Sequence, residues 1–175
     1  MTERLQVQLI GSPPDGLDSR ILKQAVAATL AEAGPKARLL PPPGSVLHVV
    51  FAGDAEIRAL NREFRGVDAA TDVLSFGEDA DASPMDILPP EAPVVFGELV
   101  LCPPYIKRYA RSAGTDPAAE LLLCFVHGLL HLLGLDHGTL EEEDVMFRLQ
   151  DRVVRTLGHS PRTTYRGCSA ASRQP

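Results

Sequence analysis

The chain has 175 residues, 45% of them hydrophobic, with a formal net charge of −6 and an isoelectric point near 5.3. That length suits one domain and is enough to bury a substantial core. The acidic balance excludes a general nucleic-acid coat, so any RNA contact has to come from a local basic patch.

The N-terminal residues alternate Leu5, Val7 and Leu9 with polar side chains, which reads as a strand over Gln6–Ile10 and lacks the apolar stretch of a secretory signal. A helix is expected from Ser19 to Ala33, with Leu22, Ala25, Val26 and Leu30 on one face and Gly34-Pro35 ending it. Leu47–Phe51 reads as a second strand. Asp54 is placed to cap a second helix that turns Ile57, Leu60 and Phe64 inward and stops at Gly66. Asp72–Phe76 and Val94–Leu101 are the next strands, and Pro103 opens a helix carrying Ile106, Tyr109 and Ala110 inward as far as Gly114. Asp116 and Pro117 make a cap and first-turn pair for the most apolar helix, which is too short to cross a bilayer. Thr139 and Glu142 form a capping box for the last helix, whose Met146, Leu149, Val153 and Leu157 share a side up to Gly158. Four strands and about five helices give an α+β fold. The segment 78–93, rich in proline and carboxylates, reads as an excursion between strands, and residues 159–175 as a disordered tail.

The chemistry concentrates in one stretch, Val126-His-Gly-Leu-Leu-His-Leu-Leu-Gly-Leu-Asp-His137. His127 and His131 are four residues apart, so on a helix of 3.6 residues per turn both rings leave the same face and can share one ion. Gly134 offers a helix stop that lets the chain fold back and bring His137 to the same place. Three imidazoles leave a fourth tetrahedral position open, the mark of a catalytic zinc site. Glu120 lies seven residues before His127, too far along the axis to be a ligand, and His48 and His159 are read as unrelated. Cys102, Cys124 and Cys168 are odd in number and form no Cys-x-x-Cys pair, so neither a disulfide framework nor a thiolate zinc site is indicated; Cys124 is expected in the core.

The histidine stretch is similar to the metzincin protease signature but carries Gly128 where that signature places its general base, a glutamate. It resembles far more closely the signature of the YbeY family, the bacterial endoribonucleases of ribosomal-RNA maturation. Leu60-Asn-Arg-Glu-Phe-Arg-Gly-Val-Asp-Ala-Ala-Thr-Asp-Val-Leu-Ser-Phe76 looks like that family's other block, with Arg65, Asp68, Thr71 and Asp72 in the matching places. Gly97-Glu-Leu-Val-Leu-Cys102 resembles a third. Leu135 stands where the family usually has an aromatic and Gly77 where it usually has a proline; neither is a ligand position.

The resemblance implies a mostly parallel four-stranded sheet with one antiparallel strand and a single metal-dependent hydrolase domain over residues 1–158. It also implies a cytoplasmic, single-strand-specific endoribonuclease acting on ribosomal RNA and the small ribosomal subunit, in maturation of the 16S 3′ end and in quality control. One Zn²⁺, or Ni²⁺ in its place, would be held by His127, His131 and His137, and would lower the pKa of a bound water toward about 7. Arg65 would hold the phosphate, with Arg62 and Arg58 from the same helix as further phosphate contacts; Lys107, Arg108 and Arg111 add positive charge elsewhere. Asp136 is a candidate catalytic residue, and Asp72 or Glu98 candidates for orienting ligands or handling protons. Either water or a ribose 2′-hydroxyl would serve as nucleophile. Two rival readings are a ribosome-assembly factor whose metal is structural and a metalloprotease-like hydrolase, against which Gly128 counts.

Overall fold

The computed structural model describes residues 5–15, 17–77 and 93–160. The expectations for the excursion and for most of the C-terminal tail fall outside these residues. Strands β1 (Leu5–Ile10), β2 (Ser45–Phe51), β3 (Val73–Gly77) and β4 (Val95–Leu101) form one sheet in the order β1-β2-β4-β3. β1 and β2 pair in parallel, as do β2 and β4, whereas β3 runs antiparallel to β4. The expected α+β sheet is therefore present. Five helices accompany it: α1 (Ser19–Ala33), α2 (Asp54–Arg65), α3 (Pro103–Ala113), α4 (Pro117–Leu132) and α5 (Leu140–Thr156).

Burial follows strand position. The central strands β2 and β4 are covered on both faces and read as nearly unbroken apolar runs, whereas edge strand β1 exposes Gln6 and Gln8 between its apolar residues. On one face Leu47, Val49, Leu99 and Leu101 join α1, α4 and α5 in the main core, which contains the fully buried Leu22, Phe125, Leu129 and Leu130. On the other, Ile57 of α2 packs with Leu74, Phe76 and Val100, and Phe64 meets Phe76 edge-on at 5.1 Å.

The helix ends are set mostly by the residues the sequence nominates. Asp116 accepts from the Ala118 N–H at the start of α4, and Thr139 and Glu142 exchange the two hydrogen bonds of a capping box at the start of α5. At α2 the cap is Gly53 rather than Asp54: Glu56 reaches back to the Gly53 N–H at 2.8 Å. Asp54, one residue inside, is thereby free to accept both arms of Arg108, at 2.6 and 2.8 Å. β3 begins at Val73, one residue later than expected, because the Asp72 carboxylate turns back to accept the Val73 N–H.

Helix α4 lies at the centre, against α1, α3, α5, β3 and β4. It passes the sheet so closely at Gly128 that a β-carbon there would come within 2.8 Å of Leu99 and 3.2 Å of Val73. A glutamate in that position would have to displace the buried Leu99 side chain. The glycine where a protease would carry its base thus lets this helix pack closely on this sheet, which the sequence alone does not reveal. No helix among the described residues is long and apolar enough to cross a membrane.

Candidate metal centre

The three histidines meet at the C-terminal end of α4. His127 and His131 come from its last two turns. Gly134 then adopts φ +80°, with its N–H bonded to the His131 carbonyl and the Leu135 N–H to that of Leu130. This paired closure satisfies the last carbonyls of the helix and reverses the chain. It delivers His137 beside the other two rings, with centroids 5.4 Å from His127 and 5.0 Å from His131. One ligand nitrogen from each ring lies within 4.8 Å of the others, the only such group of metal-ligating side chains among the described residues.

His127 Nε2 and His131 Nε2 lie 3.2 Å apart. The far side of the His127 ring is already committed. His127 Nδ1 faces the Gln150 amide oxygen at 3.0 Å, an atom that can only accept. The His131 ring bonds the Leu135 backbone, and its Nδ1 lies 4.0 Å from Asp136 Oδ1. With Nδ1 of His127 donating to Gln150, its Nε2 presents a lone pair toward the Nε2 of His131, an arrangement that suits a cation between them. Two nitrogens each about 2.1 Å from a tetrahedral zinc stand about 3.4 Å apart, so the observed separation fits such an ion.

Burial and neighbouring charge disfavour protonation of His127 and His131. Burial, reinforced by the neighbouring His131, pushes the His127 pKa down from 6.5 to about 3. Burial and then His137 lower that of His131. Neutral imidazole is the form that ligates. His127 is buried, whereas His131 and His137 are partly open, so the cluster is closed on the protein side and accessible on the other. Beside it a cavity of about 200 Å³ is lined by Lys36, Arg38, Leu135, Asp136 and Val145, among others.

The other candidate residues are placed as follows. Arg65 ends α2, is exposed, donates to the Ser75 carbonyl at 3.3 Å and lies near enough for its charge to be felt at His131. Arg62 is exposed on the same helix. Arg58 forks onto Asp68 at 2.8 and 2.9 Å, holding the loop after α2, which Asn61 also grips through the Ala69 carbonyl. Asp136 is exposed and accepts the His137 backbone N–H at 2.8 Å, bracing the turn that carries the third histidine. Asp72 is buried, bonded to Thr71 and the Val73 N–H and approached by Cys124 Sγ at 3.7 Å. Glu98 lies mid-strand on the far face from α4, 3.9 Å from His48, with burial raising its pKa and lowering that of His48. Neither Asp72 nor Glu98 joins the histidine group. Gln150 was not foreseen; its signal is an amide on the otherwise apolar side of α5.

The chain is similar to known proteins along most of its length. The family model described as Endoribonuclease YbeY matches residues 16–158. An Endoribonuclease YbeY from Geobacillus kaustophilus is 40% identical, covering 77% of this chain and 86% of its own. One from Chloroflexus aggregans is 38% identical over 79% and 92%, and one from Roseiflexus castenholzii 35% over 89% and 94%. The solution structure of a Thermotoga maritima protein covers 91% of this chain and 99% of its own at a TM-score of 0.50 and 24% identity, a likeness of fold.

Proposed function

Since the chain belongs to the YbeY endoribonuclease family, we propose that it is a cytoplasmic, metal-dependent endoribonuclease. It cuts single-stranded ribosomal RNA, in maturation of the 16S 3′ end and quality control of the small ribosomal subunit. The observation that carries this reading is the approach of the His127 and His131 Nε2 atoms to 3.2 Å, with His137 beside them and Arg65 within electrostatic reach.

His127, His131 and His137 would hold one Zn²⁺, with Ni²⁺ an acceptable substitute for an imidazole set. When bound, the ion supplies a water acidic enough to act as a nucleophile near neutral pH and a positive charge for the phosphate. The chain does the rest. Arg65, whose guanidinium can fork onto two non-bridging oxygens, binds and orients the phosphodiester and offsets the charge that builds on it. Arg62, exposed on the same helix, adds a second positive contact, whereas Arg58 is engaged by Asp68. Asp136 orients His131 from its Nδ1 side and steadies the turn bearing His137. The net charge of −6 restricts RNA to this local patch.

The test is to incubate zinc-loaded protein with a single-stranded fragment spanning the 16S 3′ end, the same sequence as a duplex, and an unfolded protein. Cleavage of the single strand alone is the expected result. RNA binding without cleavage would favour an assembly factor with a structural metal, and digestion of the unfolded protein would favour a protease.

A further inference from the structure

Gln150 stands on α5 among Met146, Leu149, Val153 and Val154, and like them is completely buried. An amide in such a place has to find partners for both its ends or bear the loss of the water it gave up. Gln150 finds one. Its oxygen meets His127 Nδ1 at 3.0 Å, while its Nε2, equally buried, has no partner among the described residues. Methionine has nearly the same length and would fill the same space with no orphaned N–H. What the amide adds is a single acceptor aimed at a single ring nitrogen.

That acceptor decides which nitrogen of His127 carries the proton. An imidazole with one proton has one donor and one lone pair, and facing an amide oxygen it has to place the donor at Nδ1. The lone pair is then at Nε2, 3.2 Å from the Nε2 of His131. In the other tautomer, the one a free imidazole prefers, an N–H would occupy the line along which an ion is bound. His127 is the most buried of the three histidines. We propose that Gln150 is a positioning residue that locks His127 in its Nδ1–H tautomer and thereby keeps Nε2 available to a divalent ion. The proposal rests on the metal-centre reading above, and its readouts need no RNA.

The test uses the full chain, wild type and as Gln150→Met and Gln150→Glu. Zinc affinity is measured by competition with a chelating indicator, and the His127 tautomer by ¹⁵N chemical shifts of the metal-free protein. The wild type should show Nδ1–H at His127. Gln150→Met should bind zinc about 10- to 100-fold more weakly, the usual effect of removing a partner behind a ligating histidine. Its His127 should shift toward the Nε2–H form. Gln150→Glu, which keeps an acceptor at that place, should recover the affinity and the tautomer. Unchanged zinc affinity and tautomer in Gln150→Met would overturn the proposal. Should that variant fail to fold, the wild-type spectrum decides, since an Nε2–H ring at His127 in the native protein contradicts the lock outright. Absence of RNA cleavage, by contrast, would sink the ribonuclease reading and leave both readouts standing.

Discussion

Metal-free protein should lose about 2 kcal/mol of stability through His127 alone when the pH is taken from about 8 to about 5. The folded imidazole is held at about 3 by burial and by its neighbour His131, against 6.5 for the free ring. Between those two values the unfolded chain binds a proton that the folded chain refuses. Stability from this group is therefore fully present above about 6.5 and falls as the pH drops toward 3. At about pH 5 the unfolded ring is about thirtyfold more protonated than neutral, and RT ln 30 is about 2 kcal/mol. The folded value lies far enough below pH 5 that the loss is set almost entirely by the unfolded ring. For a chain of this length the loss corresponds to a fall of about 4–8 °C in melting temperature. His131, also depressed, acts in the same direction, whereas Glu98 and Asp151, raised by burial, act in the opposite one. Thermal melts of metal-free wild type and His127→Gln across this range isolate the His127 share, because the carboxylates are common to both. The wild type should fall more steeply with acid. Parallel curves for the two proteins would refute the argument that His127 is neutral and shielded in the fold.

Two further substitutions test the packing and the chemistry. Gly128→Ala should destabilise the chain by about 1 kcal/mol in denaturant unfolding, because crowding against the fully buried Leu99 outweighs alanine's helix preference. A gain of about 1 kcal/mol, as at a solvent-exposed helical glycine, would contradict the close approach of α4 to the sheet. Arg65→Lys keeps the charge but loses the fork, and should slow RNA cleavage by about tenfold or more, or about 1.4 kcal/mol. Arg65→Glu should nearly abolish cleavage, and both variants should retain metal; unimpaired cleavage in Arg65→Glu would reduce this arginine to a surface cation.

Much of this architecture is legible in the residues because local signals agree with the global fold. Gly34, Gly66 and Gly114 end their helices where expected, and Thr139 with Glu142 starts α5. The histidine spacing around Gly134 anticipated a three-ring cluster. What escaped depends on contacts between distant segments. The Gly53 cap at α2 arises because Glu56 supplies the hydrogen bond that a glycine has no side chain to make. The pairing of Arg58 with Asp68 is set by the path of the loop after α2, which local sequence signals do not encode. Glu98 sits beside His48 because β4 pairs with β2 rather than with a sequence neighbour, a strand order that local periodicity does not encode. Gln150 reaches His127 only once α5 has docked on α4.

The central claim is that the histidine cluster holds the ion on which RNA cleavage depends. It is tested most directly by following metal content and cleavage of a single-stranded 16S fragment on the same samples. These are wild type as purified, after chelation and after zinc is returned, with His131→Ala treated in parallel. The account predicts about one ion per wild-type chain, cleavage lost with the ion and recovered with it, and a folded His131→Ala that neither holds zinc nor cuts. Full cleavage by metal-free wild type, or by His131→Ala, would contradict it.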